Sequence, residues 1–157
     1  MLDDEVIRPL DNPIYPEGAV FKQSTIADQI ILKFEGPAKV YNSEKDAINA
    51  LAVKEIENGS IIVILYEGPK GGPEMPEFLV LTASLMFLKN LDKVALITDG
   101  RFSRTTKGPC IEYICTEAYV GGRIAVISDG DLIKINNLNR RLNVALSNDE
   151  IQVRLQK

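Results

Sequence analysis

The apolar and polar positions divide the chain into short apolar runs separated by polar loops. Residues 61–66, IIVILY, form an unbroken apolar run with three isoleucines, and its length and β-branching predict a buried strand. Residues 93–98 predict another. Shorter runs at 19–22, 30–34 and 39–41 also read as strands, with Gly36-Pro37 marking a turn between the last two. Ser43 opens the clearest helix: it can cap, Asp46 holds the capping-box position, and Ala47, Ile48, Leu51 and Ala52 share one apolar face. Asn58-Gly59 ends that unit, and residues 78–88 predict a largely buried helix. Residues 123–127 and 132–135 predict a hairpin around Asp129-Gly130-Asp131, and 142–146 a last strand. Ser147-x-x-Glu150 is a capping box that opens a short C-terminal helix. Strands and helices interleave, so the expected class is α/β: a compact mixed β-sheet or barrel flanked by helices.

Two polar loops follow the buried strands. Ligand sites of α/β sheets gather at strand C-termini, and glycines there let backbone N–H groups approach an anion. The first loop, residues 67–77, is EGPKGGPEMPE and carries Lys70, Glu74 and Glu77. A carboxylate beside glycines can ligate a hard cation such as magnesium; a solvated surface loop carries the same residue types. No Lys-Ser or Lys-Thr follows the glycines at phosphate-loop spacing. The second loop, residues 99–108, is DGRFSRTTKG. Arg101 suits bidentate binding of a carboxylate or phosphate. Ser103 becomes a base or nucleophile only if metal coordination or oriented N–H donors lower its pKa; otherwise it is a plain loop serine.

Composition narrows the chemistry. The chain of 157 residues suits one domain. Histidine is absent, which excludes Ser–His and Cys–His pairs, histidine-ligated zinc and a histidine base. Cys110 and Cys115 are the two cysteines, too few for a four-cysteine metal centre, and they read as thiols in a reducing compartment. The net charge of −4 brings no general attraction to nucleic acid or anionic membrane. The acidic start, MLDDEVIRPL, lacks an apolar leader segment, and no stretch approaches a membrane span, so a cytoplasmic location is expected. Residues 1–18, with Pro9, Pro13 and Pro16, read as a linker, and 19–157 as the domain.

The two loops resemble one known family. EGPKGGPEMPE is similar to the EGPKGGPGMPE segment of the dihydroxy-acid dehydratase and 6-phosphogluconate dehydratase family, and ITDGRFSRTTKG to its ITDGRFSGGTRG segment. GPAKVYNSEKDA, TEAYVGGRIAVISDGDLIKI and NRRLNVALSNDE resemble further segments, so coverage runs from about Pro16 to the end. The resemblance implies a swivelling β/β/α domain, the C-terminal part of a two-domain enzyme that dehydrates a 2,3-dihydroxy acid to a 2-keto acid. It implies magnesium and an iron–sulfur cluster in the complete enzyme, the cluster being held by the N-terminal domain and not by this chain. By motif match Ser103 is the base that takes the C2 proton, Glu77 a magnesium ligand and Arg101 a substrate-binding residue.

Several positions depart from the family pattern. Arg104 and Thr105 stand where the family has two glycines, Glu74 replaces a glycine, and Tyr113 stands where many members have histidine. About a dozen residues of the family pattern are missing near residues 12–18. Three readings follow: a dehydratase part that works only with a separate cluster-bearing chain, a non-catalytic binding module, or a truncated remnant. Branched-chain precursors, phosphogluconate and other sugar acids are all open as substrates. An apolar face left without its partner domain makes a homo-oligomer a further expectation.

Overall fold

The computed structural model describes residues 5–7, 18–21, 33–102, 109–136, 138–139 and 141–157. Strands β1 (Glu5–Ile7) and β2 (Gly18–Phe21) lead into β3 (Lys33–Tyr41), helix α1 (Glu44–Ala52) and β4 (Ile61–Ile64). Helix α2 (Leu79–Phe87), β5 (Ala95–Thr98) and β6 (Cys110–Cys115) follow, then β7 (Leu132–Asn136), β8 (Arg141–Val144) and α3 (Asn148–Leu155). The strands form one mixed sheet in the order β1-β2-β6-β5-β4-β3-β7-β8. The pairings β3–β4, β4–β5 and β5–β6 are parallel, and both wings are antiparallel. The α/β expectation holds. Among the described residues, no helix is long and apolar enough to cross a membrane.

The period of two along the central strands sorts the core. Ile61 and Val63 of β4 and Ala95 and Ile97 of β5 face one cluster, which reaches Ile124, Ile133, Leu142 and Ile151. Ile62, Ile64 and Leu96 face the other, packed on Ala47 and Leu51 of α1 and on Leu81 of α2. Both faces of β4 are therefore covered, as a continuous apolar run requires. Burying each such isoleucine contributes roughly 1.5–3 kcal/mol.

Helix caps follow the sequence. Ser43 Oγ accepts from Asp46 N–H. The Asp46 carboxylate turns to the Ser43 hydroxyl rather than to the Ser43 amide. Ser147 and Glu150 form the full capping box of α3.

Three expectations are corrected. Gly36-Pro37 is no reversal, because β3 runs straight through it. Residues 33–37 pair with β7 and residues 38–41 with β4, so the strand changes partner at Pro37, which has no N–H to give. A Cβ on Gly36 would strike the carbonyl of Gly59. Residues 123–127 are not a hairpin arm: Arg123–Val126 form a 3-10 turn with Ile124, Val126 and Ile127 buried. A short apolar run does not distinguish strand from turn by periodicity, and Gly121, in the left-handed region at φ 80°, precedes it. The third concerns α2, which is not largely buried. Leu81 and Thr82 are, while Leu79, Val80, Met86 and Phe87 face outward. Strand β6, which the reading of the sequence did not place, completes the parallel set.

Candidate functional site

The parallel strands place three connections at one edge of the sheet: the segment after β4, the segment after β5 and the segment after β6. Three buried carboxylates tie these connections together. Asp99, 2% exposed, accepts backbone N–H bonds from Tyr66 (3.2 Å), Glu67 (3.1 Å) and Ala118 (2.8 Å). Glu117 accepts from Lys70 and from Gly71, each at 3.0 Å to Oε2. Glu112 accepts from Phe102 N–H at 2.6 Å. Buried carboxylates persist when N–H donors replace water around them. The rings of Phe78 and Phe102, which follow the first loop and lie in the second, meet edge to face at 5.3 Å between centroids.

The glycine loop therefore cradles an anion that the chain itself supplies. The Lys70 and Gly71 amides are occupied by Glu117, and a Cβ on Gly68 would sit 2.5 Å from Glu117 Oε2. The backbone is strained at the same edge. Tyr66, Met75, Phe78 and Tyr113 hold positive φ of 64°, 42°, 47° and 53°. Such residues cost on the order of 1–3 kcal/mol each and cluster at functional sites.

Arg101 and Glu77 come together. The guanidinium Nε donates to the Met75 carbonyl at 2.8 Å, and its Nη1 lies 3.9 Å from Glu77 Oε1. Both side chains are substantially exposed, so the pair adds little stability and leaves both groups accessible. Ser103 lies outside the described residues, as do Arg104 and Thr105. The neighbour of Ser103, Phe102, is fixed by Glu112. Glu74 and the Lys70 side chain point to solvent. A cavity of about 280 Å³ opens between Pro69, Asp99, Tyr113, Ile114, Cys115 and Val120, at the same edge.

Burial pushes the Asp99 carboxyl above its ordinary range, and the amides of Ala118, Glu67 and Tyr66 pull it back. Burial also raises Glu67, whose carboxylate accepts from the Glu44 amide. Glu77 fits a hard cation as one accessible oxygen donor. Among the described residues, no three Asp, Glu or Cys side chains gather as a metal set. Cys110 and Cys115 sit on one strand, one buried and one exposed, and do not fit a cluster site.

Residues 3–157 match the family model described as dihydroxy-acid/6-phosphogluconate dehydratase C-terminal. The chain belongs to this family. It is 47% identical over 167 residues to the dihydroxy-acid dehydratase of Ignicoccus hospitalis, covering 98% of this chain and 30% of that protein. It is 46% identical over 166 residues to the dihydroxy-acid dehydratase of Archaeoglobus fulgidus, with the same 98% and 30% coverage. To that of Methanococcus vannielii it is 50% identical over 149 residues, covering 95% and 27%. This dehydratase C-terminal chain thus spans about 30% of the length of these relatives. The 167 aligned positions exceed its 157 residues, so the Ignicoccus protein carries residues within the matched region that this chain lacks.

Sequence reasoning placed Arg101 and Glu77 on the two loops but did not find Asp99, Glu112 or Glu117 as the residues that hold those loops. A signal existed for one of them: Glu112 interrupts the apolar run CIEYIC, where a charge needs a partner.

Proposed function

We propose that this chain is the C-terminal part of an iron–sulfur, magnesium-dependent hydro-lyase that converts a 2,3-dihydroxy acid, a branched-chain precursor or a sugar acid, into a 2-keto acid. The observation that carries the reading is the approach of Arg101 to Glu77 on two braced loops, in a chain of this family. Arg101 binds the substrate carboxylate. Glu77 offers an oxygen to magnesium, which when bound supplies positive charge to hold the acid and its enolate-like form. Ser103, as the alkoxide, takes the C2 proton. The C2–H electron pair becomes the C2–C3 double bond as hydroxide leaves C3, and the resulting enol tautomerises to the keto acid. Assistance to that leaving group is assigned to the part of the dehydratase polypeptide outside this chain, because the two cysteines, Cys110 and Cys115, are too few to hold a cluster. The cytoplasm, with its reduced thiols, fits such an enzyme.

A second reading is a non-catalytic module of the same family. Arg104 and Thr105 favour it, standing where the resemblance sets two glycines beside the serine.

The test is an anaerobic dehydratase assay with magnesium and a panel of dihydroxy acids, on the chain alone and on the chain combined with a cluster-bearing N-terminal part. The expected result is keto acid only in the combination, lost in Ser103→Ala. No product in the combination would leave the module reading standing.

A further inference from the structure

Strand β6 carries one residue more than its neighbour β2 can match. Cys115 faces Gly18 and Glu112 faces Val20, so three steps along β6 span two along β2. The excess lies at Tyr113 and Ile114, opposite Ala19. The core shows the same insertion: Ile111 and Ile114, three apart, enter one cluster, where a regular strand would send them to opposite faces. Tyr113 absorbs the irregularity. Its backbone is left-handed, at φ 53°, a region that a bulky side chain disfavours. Its N–H donates to the Gly100 carbonyl at 2.9 Å, which ties the bulge to the root of the second loop, one residue before Arg101. The Tyr113 side chain is 42% exposed, while its neighbours Glu112 and Ile114 are buried. A β-bulge re-aims a side chain, and bulges gather beside active sites. A strained backbone persists where the surrounding structure holds it, and such residues cluster at ligand sites.

The bulge brings Tyr113 to the cavity of about 280 Å³ at the site edge, which it lines with Lys70, Cys115 and the apolar Pro69, Ile114 and Val120. Asp99 and Glu117 border the same cavity, and their carboxylates are engaged by backbone N–H donors. The volume is at the small end for ligand sites. The apolar walls take a short carbon chain, Lys70 adds positive charge, and the phenol offers an O–H donor. Together they suit a small hydroxy acid. We infer that Tyr113 is a substrate-contacting residue: its hydroxyl donates a hydrogen bond to an oxygen of a short dihydroxy acid seated in this cavity, and its ring forms one wall. The identity of the ligand rests on the proposed function; the bulge that brings the phenol to the cavity does not.

The experiment uses Cys115 as the reporter, because it lines the same cavity and is exposed, while Cys110 is buried. On the 157-residue chain, 2,3-dihydroxybutanoic acid should slow alkylation of Cys115 by iodoacetamide, with the modified site located by mass spectrometry. The acid is taken up to about 10 mM, above the usual KM range. Tyr113→Phe removes only the hydroxyl. It should need about three- to tenfold more acid for the same protection, the loss of one hydrogen bond, and should melt at the wild-type temperature. Tyr119→Phe, at an exposed position outside the cavity lining, should leave the protection as in wild type. With the chain combined with a cluster-bearing N-terminal part, Tyr113→Phe should raise KM by the same factor with little change in kcat. No protection at the highest concentration overturns the inference, and so does equal protection in wild type and Tyr113→Phe. An unchanged KM in an active combination overturns it as well. A lower melting temperature for Tyr113→Phe does the same, since the hydroxyl would then serve the fold. Protection that depends on Tyr113 beside an inactive combination would count against Ser103 and Glu77 and leave Tyr113 as a binding residue. Keto acid formed without protection of Cys115 would strike the role of Tyr113 and leave the dehydratase reading standing.

Discussion

At the scale of single residues, the site edge depends on buried carboxylates. Asp99 illustrates the balance: burial favours its protonated form, and three backbone N–H groups favour the charged one. Burial is the larger effect, so the folded chain holds this proton more tightly than the unfolded chain does. The stability linked to the proton is complete below the unfolded pKa of about 3.9 and is lost as pH rises through the higher folded value. Asp99→Asn cannot titrate, although it sets an amide NH₂ against backbone donors and is destabilised throughout. The stability gap between wild type and Asp99→Asn, followed by urea unfolding between about pH 4 and pH 7, should therefore narrow as pH rises. A gap that widens would show that the three N–H bonds outweigh burial. This balance also explains what the sequence left unread at the site. The places of Arg101 and Glu77 on two loops that meet were legible because their motifs resemble a family. Asp99 and Glu117 were not, because a buried carboxylate and a solvated one look alike until the amides that surround them are placed. The glycines of the first loop read as a cradle for a ligand, and their approach to Glu117 gives them a structural task instead.

Between elements, the site edge is linked by side chains that cap neighbouring helices. Phe78, at the start of α2, has a left-handed backbone and no side-chain cap. The missing acceptor comes from α1, where Glu44 Oε1 takes the Leu81 amide at 3.0 Å, while Glu67 in turn accepts from the Glu44 amide at 3.4 Å. Glu44→Ala should accordingly cost about 0.5–2 kcal/mol, the range for loss of an N-terminal cap. Glu44→Gln, which keeps an acceptor oxygen, should cost less. Equal losses for the two variants in urea unfolding would mean that the carboxylate charge, not the hydrogen bond, matters. The same scale shows where patterns misled. The capping residues Ser43, Ser147 and Glu150 were legible because capping is a local interaction. Gly36-Pro37 carries the local signature of a turn, yet the neighbours β7 and β4 hold both halves of β3 extended, and the signature marks a change of partner. Residues 123–127 are as apolar as a strand, and the 3-10 turn they form is set by Gly121-Gly122, with Gly122 pressed on the Thr116 carbonyl. Apolar character predicted which residues enter the core, and the register of distant strands decided the shape in which they enter it.

For the molecule as a whole, the question is whether the site can work without the rest of a dehydratase. Magnesium prefers six oxygen ligands and keeps several waters, so it binds firmly where carboxylates converge. Here Glu77 is half exposed, and its near neighbour is the Arg101 guanidinium, a cation that opposes a second one. A cation with affinity for the folded state alone stabilises it by mass action, by about 2.7 kcal/mol at a hundred times its Kd, and so raises the unfolding temperature. The isolated chain should show no such rise at about 1 mM magnesium, and Glu77→Gln should melt with the same indifference to the ion. In a chimera in which this chain replaces the matching 30% of the Ignicoccus hospitalis relative, magnesium should raise the melting temperature, and Glu77→Gln should reduce that gain. These two measurements separate two arrangements of the same residues. If the isolated chain is stabilised by magnesium through Glu77, the ion's shell is completed within these 157 residues. If stabilisation arises only in the chimera, the C-terminal part contributes a carboxylate and two braced loops to a site closed by docking.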